Sequence, residues 1–407
     1  MFETIFSERV TIARHRAGPY VDERERYLRH RAAVGTTAHS QRTCAGGTLR
    51  IAHQLTPADQ GCIDAERLGI IVGQCIRGAG SKATECLTKL TRPWLKFLGW
   101  WREPQPQPLA FAVELDRFVS WMRDERGLTP CTVEQWRDRT AVFLRWCEQL
   151  NLDLAALVPE DIDRYFVSYG ASRWSRISSG GIAAMLRVFF RHASTQGSCS
   201  ARLADSIIGP RRYRLETIPY ALDWIDVRRL IASAAGDTDL DVRDHAILQL
   251  LAVYGLRRGE VAALRLDGVD RERQRLHIWR LKRLQPQVYP LVPSVAQALC
   301  RYIDCVRPAV IHPQVFITAH APRSPISATA IHGIVNRRLR ALHIHAAHLG
   351  PHALRHACAS RLLAEGLTLK EIGDHLGHRS ASSTSIYAKV DMASLRTVGE
   401  FDLGGLQ

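Results

Sequence analysis

Three prolines alternate with glutamines over Glu103-Pro104-Gln105-Pro106-Gln107-Pro108. Each proline fixes its own φ, lacks a backbone N–H and holds the preceding residue extended, so no helix runs through this point. A second break runs from Gly209-Pro210 to Pro219, after which helical periodicity resumes at Trp224. The 407 residues thus fall into three segments with a linker: a leader over 1–104, a unit over 108–206, a linker over 207–222 and a unit over 223–407.

Within those segments the apolar pattern is mostly helical. Thr132 and Gln135 have the spacing of a capping box, and Trp136, Val142, Phe143, Trp146 and Leu150 fall near one helical face. A further helix is expected over 181–192, with the stripe of Ile182, Met185, Leu186, Phe189 and Phe190 read as core. Helical stretches are also expected over 246–254 and 259–266. Around a Pro- and Gln-containing turn, residues 275–279 and 288–292 alternate as a β-hairpin does. The expected class is mainly α, with a small β-hairpin or sheet in the last segment. At an offset of 92, Gly35 meets Gly127, Thr37 meets Thr129, Ser40 meets Thr132, Thr48 meets Thr140 and Phe97 meets Phe189. The leader therefore reads as a degenerate copy of the next unit or as an unrelated helical extension.

Charge narrows the partners. The chain has 55 Lys and Arg against 40 Asp and Glu, net +15. Residues 1–222 carry 31 basic against 23 acidic residues and the remainder 24 against 17, so the excess is no detachable tail. This distribution suits a polyanion gripped from two sides, with nucleic acid as the first expectation. The ten cysteines include no Cys-x-x-Cys pair, which argues for thiols of a reducing compartment. No run of 18 apolar residues occurs, and Glu3 and Glu8 interrupt what a signal peptide would make basic then apolar. The expected location is cytoplasmic and nucleoid-associated.

Four fragments of the last segment carry chemistry. In Tyr254-Gly-Leu-Arg257-Arg-Gly-Glu260 a glycine precedes a helix start and puts Arg257 near N–H groups that favour an anion. Lys282 lies at the tip of the expected hairpin. In His352-Ala-Leu-Arg355-His356 an imidazole and a guanidinium at i and i+3 share one helical face, with Leu354, Cys358 and Leu362 turned away. Leu376-Gly-His378 is followed, across a Ser/Thr-rich stretch, by Ile386-Tyr387. Taken singly, each has an ordinary structural explanation. The run His343, His345, His348, His352 and His356 contains no His-Glu-x-x-His, and neither a metal nor another cofactor is expected.

Taken in order, the fragments resemble the tyrosine recombinases, or phage-integrase family. The resemblance covers 223 to about 390, and residues 108–206 resemble that family's helical core-binding domain through Gly127-Leu-Thr-Pro-Cys-Thr132 and Pro159-Glu-Asp-Ile162. It implies that Tyr387 attacks a scissile phosphate to give a 3′-phosphotyrosyl link and a 5′-hydroxyl, and that Arg257 and Arg355 grip the non-bridging oxygens. It also implies that His352 hydrogen-bonds the phosphate and assists proton transfer from the tyrosine, that His378 hydrogen-bonds a phosphate oxygen and that Lys282 protonates the leaving oxygen. Glu260 and His356 are then structural supports.

Guanidinium forks suit this task on physical grounds, because they stay charged and match phosphate oxygens two at a time. The hairpin departs from the family's Gly-Lys-Gly: Leu281-Lys282-Arg283 stands there, Pro286 sits in the returning segment, and Arg280 or Arg283 are alternative cations. Arg176, Arg187 and Arg191 are candidate DNA contacts. The resemblance further implies double-stranded DNA as the partner and a homotetramer or mixed recombinase assembly on it, with the tail over 389–407 docking on a neighbour. The expected reaction is site-specific recombination, integration or transposition of a mobile element; a non-catalytic DNA-binding accessory protein of the same fold is the alternative.

Overall fold

The computed structural model describes residues 1–76, 80–103, 108–211, 221–281, 285–344, 349–378, 380 and 384–389. The chain divides into two compact units, Met1–Glu103 with Thr217–Gln407, and Pro104–Glu216. Among the described residues no helix is long and apolar enough to cross a membrane.

Residues 1–103 form α1 (Phe2–Ile5), α2 (Arg9–Ala17), α3 (Val21–Ala33), α4 (Ala38–Ala52), α5 (Ala65–Cys75) and α6 (Ser81–Phe97). Helix α4 packs against α3, α5 and α6 around Cys44, Ile51, Ile71, Trp94 and Leu95. Thr37 caps α4 by accepting the Ser40 N–H at 3.3 Å. The wholly buried Arg24 donates to the carbonyls of His15, Gly18 and Pro19 at 2.7, 3.0 and 2.9 Å, which satisfies backbone groups where α2 ends.

The second unit contains α7 (Ala112–Asp124), α8 (Pro130–Gln149), α9 (Pro159–Arg164) running into a π-helical turn (Tyr165–Gly170), α10 (Arg176–Thr195) and α11 (Arg202–Ser206). Its core is aromatic: Phe118 meets Phe189 edge to face with centroids 5.3 Å apart, and Phe143 meets Phe190 likewise at 5.6 Å. Helix α8 begins earlier than the Thr132–Gln135 pattern suggests, because Pro130 takes the first helical position with Thr129 as N-cap. Of its expected apolar face, Phe143 and Trp146 are buried, while Val142 and Leu150 are exposed.

From residue 223 the elements are α12 (Trp224–Ala232), α13 (Asp239–Val253), α14 (Arg258–Ala263), β1 (Val269–Asp270), β2 (Arg275–Arg280), β3 (Gln285–Pro290), α15 (Pro293–Arg301), α16 (Ala328–Ala341), α17 (Pro351–Ala364) and α18 (Leu369–Leu376). A 3-10 turn over Ser385–Lys389 follows. Helix α13 is buried on most of its circumference, apolar from Ala246 to Val253 except at Gln249, and packs against α12, α15 and α17. The sheet is antiparallel in the order β1-β2-β3, with Leu276 opposite Tyr289 and Ile278 opposite Gln287. The returning strand starts before the expected residue 288, and β3 accommodates Pro286 and Pro290 because it is an edge strand.

Candidate active site

Arg257 is the N-cap residue of α14, and its own N–H donates to the Glu260 carboxylate at 2.8 Å. That carboxylate is buried and takes two guanidinium groups, Arg257 Nη1 at 2.9 Å and Arg280 Nη1 at 2.6 Å. Arg257 Nη2 reaches the Gly377 carbonyl at 3.4 Å, so one arginine joins the start of α14 to the end of α18.

Arg355 enters the same region from α17. It is 3% exposed and donates to the carbonyls of Gly255 and Leu376 at 2.6 and 2.7 Å. Each terminal nitrogen keeps a second N–H for an anion. Burial, then the neighbouring Arg257 charge, lowers its pKa to about 10, which leaves it cationic at neutral pH. Gly255 and Gly377 have positive φ values of 57° and 64°. At Gly255 a Cβ would stand 2.6 Å from Leu376 Cδ2, and at Gly377 it would stand 2.7 Å from Arg280 Nε. Only glycine permits this approach of the two element ends.

His378 follows Gly377, and its Nδ1 pairs with Thr384 Oγ1 at 2.7 Å. Burial and the surrounding arginines depress its pKa to about 4, so the ring is neutral at pH 7. The Tyr387 ring lies nearly parallel to it, with centroids 6.4 Å apart and 7° between planes. Tyr387 is 1% exposed and sits with Cys358, Ala359, Ile372 and Leu376. Burial raises its pKa to about 12 despite the opposing charge of Arg355.

His352 faces a cavity of about 740 Å³ whose lining includes Arg257, Gly259, His332 and Gly350. His356, one turn further along α17, meets the nucleophile candidate directly: its Nδ1 lies 2.9 Å from Tyr387 Oη. The rings of His352 and His356 have centroids 5.7 Å apart.

Arg257, His352, Arg355, His378 and Tyr387 therefore gather at the ends of α13, α14, α17 and α18. Lys282 lies outside the described residues, as do Arg283 and the segment over 390–407. Arg280 is no loose cation: it is 1% exposed and donates to Glu260, to Gln287 Oε1 at 2.7 Å, to the Tyr289 hydroxyl and to the His375 carbonyl at 2.9 Å. Its place on the inner face of β2, in step with Leu276 and Ile278, was the sequence signal for that burial. The Tyr387 contact of His356 had a weaker signal, its i+4 spacing from His352.

The candidate DNA-contacting arginines lie on α10 of the second unit. Arg176 donates to the Arg211 carbonyl, Arg187 is half-buried, and Arg191 is exposed 3.6 Å from Asp205. Among the described residues no group of three or more His, Cys, Asp or Glu side chains is placed to hold a metal ion.

Comparison with known proteins adds a family to this geometry. The model of the phage integrase family matches residues 222–394. A putative integrase/recombinase of Sinorhizobium fredii, y4rA, is 33% identical over 73% of this chain and 72% of its own length. A second from the same organism, y4rF, is 29% identical over 98% of this chain and 95% of its own. The crystal structure of the XerH site-specific recombinase bound to palindromic difH substrate, a post-cleavage complex, has a similar fold. Its TM-score is 0.55 at 14% identity, over 82% of this chain and 93% of that one.

Proposed function

Because the chain belongs to the phage-integrase family of tyrosine recombinases, we propose that it cuts and rejoins duplex DNA through a covalent 3′-phosphotyrosyl intermediate on Tyr387. The observation that carries this reading is the convergence of Tyr387 with two cationic guanidinium groups, Arg257 and Arg355, and the neutral His378. Arg257 and Arg355 would offer N–H groups to the non-bridging oxygens, where negative charge grows in the pentavalent transition state. Among the described residues one buried carboxylate, Glu260, faces Arg257, Arg280 and Arg355, which leaves positive charge in excess for the phosphate.

His378 supplies a hydrogen bond without a charge. With Nδ1 held by the Thr384 hydroxyl, its Nε2–H can meet a phosphate oxygen. His352, in the cavity wall beside Arg257, would hold another. Lys282 would protonate the departing 5′ oxygen. Since the phosphotyrosyl bond retains the energy of the phosphodiester it replaces, rejoining to another 5′-hydroxyl requires neither ATP nor a metal.

The natural reaction we propose is integration or transposition of a mobile element, by a homotetramer or mixed recombinase assembly acting on nucleoid DNA. Similarity to a putative integrase/recombinase over 98% of this chain, leader included, supports this reading over that of a compact housekeeping resolvase.

We read residues 1–104 as a worn copy of the core-binding unit over 108–206, with 207–222 joining it to the catalytic unit over 223–407. In support, each of the first two runs helix, left-handed glycine (Gly35, Gly127), threonine N-cap (Thr37, Thr129), helix, 3-10 turn, short helix and long helix. Thr48 and Thr140, at the same offset of 92, are both wholly buried.

The test is covalent trapping. A library of duplexes carrying nicks near possible cleavage points would be incubated with wild type and Tyr387→Phe in EDTA. A denaturation-resistant adduct in wild type alone is expected. Tight, salt-sensitive binding of the same DNA with no adduct would favour the non-catalytic accessory reading instead.

A further inference from the structure

We propose that His356 accepts the proton of the Tyr387 phenol as that oxygen attacks DNA, making it a catalytic residue rather than a support. The inference rests on the reading of Tyr387 as the nucleophile. Three observations carry it.

The first is contact: His356 Nδ1 and Tyr387 Oη are 2.9 Å apart, within the reach required of a general base. The second is need. Burial pushes the pKa of the phenol up to about 12, so at neutral pH it holds its proton and attack requires a group to take it. The third is division of labour: His352 faces the cavity beside Arg257 and Gly350, whereas His356 meets the phenol one helical turn away. The groups facing the pair include, among the described residues, His352, Arg355 and Cys358 on α17, Arg257 before α14, and His378 after α18.

The step balances. The Tyr387 O–H bond breaks as an N–H bond forms at His356 Nδ1, and the phenolate oxygen bonds to phosphorus. The P–O5′ bond breaks, and the departing oxygen takes its proton from the Lys282 ammonium. On rejoining, the 5′-hydroxyl attacks phosphorus, its proton returns to Lys282, and the imidazolium returns its proton to the released phenolate.

The experiment measures single-turnover cleavage against pH on a DNA trapped as above, with full-length wild type, His356→Asn, Lys282→Ala and Tyr387→Phe. In His356→Asn the amide oxygen can stand where Nδ1 stood and keep the hydrogen bond, but it cannot hold the proton. Cleavage is expected to fall about 10²–10⁴-fold and to lose the rise with pH that a titrating imidazole gives, with DNA affinity unchanged. A 5′-bridging phosphorothioate, whose sulfur leaves without protonation, should rescue Lys282→Ala and leave His356→Asn slow.

A His356→Asn protein that cleaves at the wild-type rate with the wild-type pH profile overturns the inference, since hydrogen bonding alone would then suffice. Rescue of His356→Asn by the bridging sulfur overturns it too, placing His356 on the leaving-group side. Should the asparagine variant lose DNA binding, His356→Gln, which keeps an amide at greater reach, carries the same comparison. An adduct that persists in Tyr387→Phe, or is missing from wild type, overturns the nucleophile assignment as well, so the two failures are distinguishable.

Discussion

Two arginines converge on the Glu260 carboxylate, and among the described residues Arg280, 1% exposed, has no other anion as a hydrogen-bond partner. Removing the carboxylate charge leaves a buried guanidinium uncompensated, a loss worth about 3–5 kcal/mol in comparable buried pairs. Glu260→Gln is therefore expected to lower unfolding stability by about 3 kcal/mol, read as the urea midpoint at constant m-value, and to misplace Arg257 enough to slow cleavage at least tenfold. An unchanged midpoint would mean that the carboxylate does not hold the pair. The order of four short motifs, through its resemblance to the tyrosine recombinases, brought Arg257, His352, Arg355, His378 and Tyr387 forward, because each motif is local in sequence. The Arg280–Glu260 pair spans 20 residues and two element types, and its burial depends on which face of β2 turns inward. The His356–Tyr387 bond spans 31 residues and depends on the turn that carries the tyrosine. Neither is fixed by local pattern.

At the scale of elements, the hairpin and the end of α18 act as one piece. Gln287 Nε2 donates to the Asp374 carbonyl at 2.9 Å, and Tyr289 donates to that of His375. Strand β3 thereby holds the last turn before Gly377 and His378. Gly377, the left-handed C-cap of α18, cannot take a side chain without strain or without meeting Arg280 Nε. Gly377→Ala should cost about 1–3 kcal/mol by thermal melt and reduce cleavage more than DNA binding, because the Gly377 carbonyl accepts from Arg257. Equal losses in cleavage and binding would contradict that link. The hairpin was legible from alternation; its second strand was set late because Pro286 reads as a strand breaker, and only an edge position reconciles it with the ladder. The start of α8 was missed for a related reason, since two overlapping capping patterns compete there and Pro130 decides between them.

For the whole molecule, charge and pH give two further expectations. A chain of net +15 that neutralises six to ten phosphates should lose about 10³–10⁵ in affinity between 50 and 200 mM salt, read from the slope of log K against log salt concentration. A flat dependence would contradict a phosphate-gripping surface. Burial depresses the pKa values of His15, stacked between Phe2 and Phe6, and of His378 to about 4, and lowers those of His192, His245 and His375. These rings fold neutral but protonate when unfolded below the ordinary value of 6.5, so their contribution is present above 6.5 and lost as pH falls, toward about 4 for His15 and His378. The thermal midpoint should drop steadily across that window, and His15→Phe should flatten part of the drop; equal slopes in both proteins would contradict a neutral buried His15. Covalent chemistry at one side chain is tested by identifying the amino acid that carries DNA. A trapped adduct would be digested with nuclease and trypsin and sequenced by mass spectrometry. The expected product is a nucleotide joined through its 3′-phosphate to Tyr387 in the peptide over 380–389. Attachment to any other residue, or through a 5′-phosphate, would contradict it.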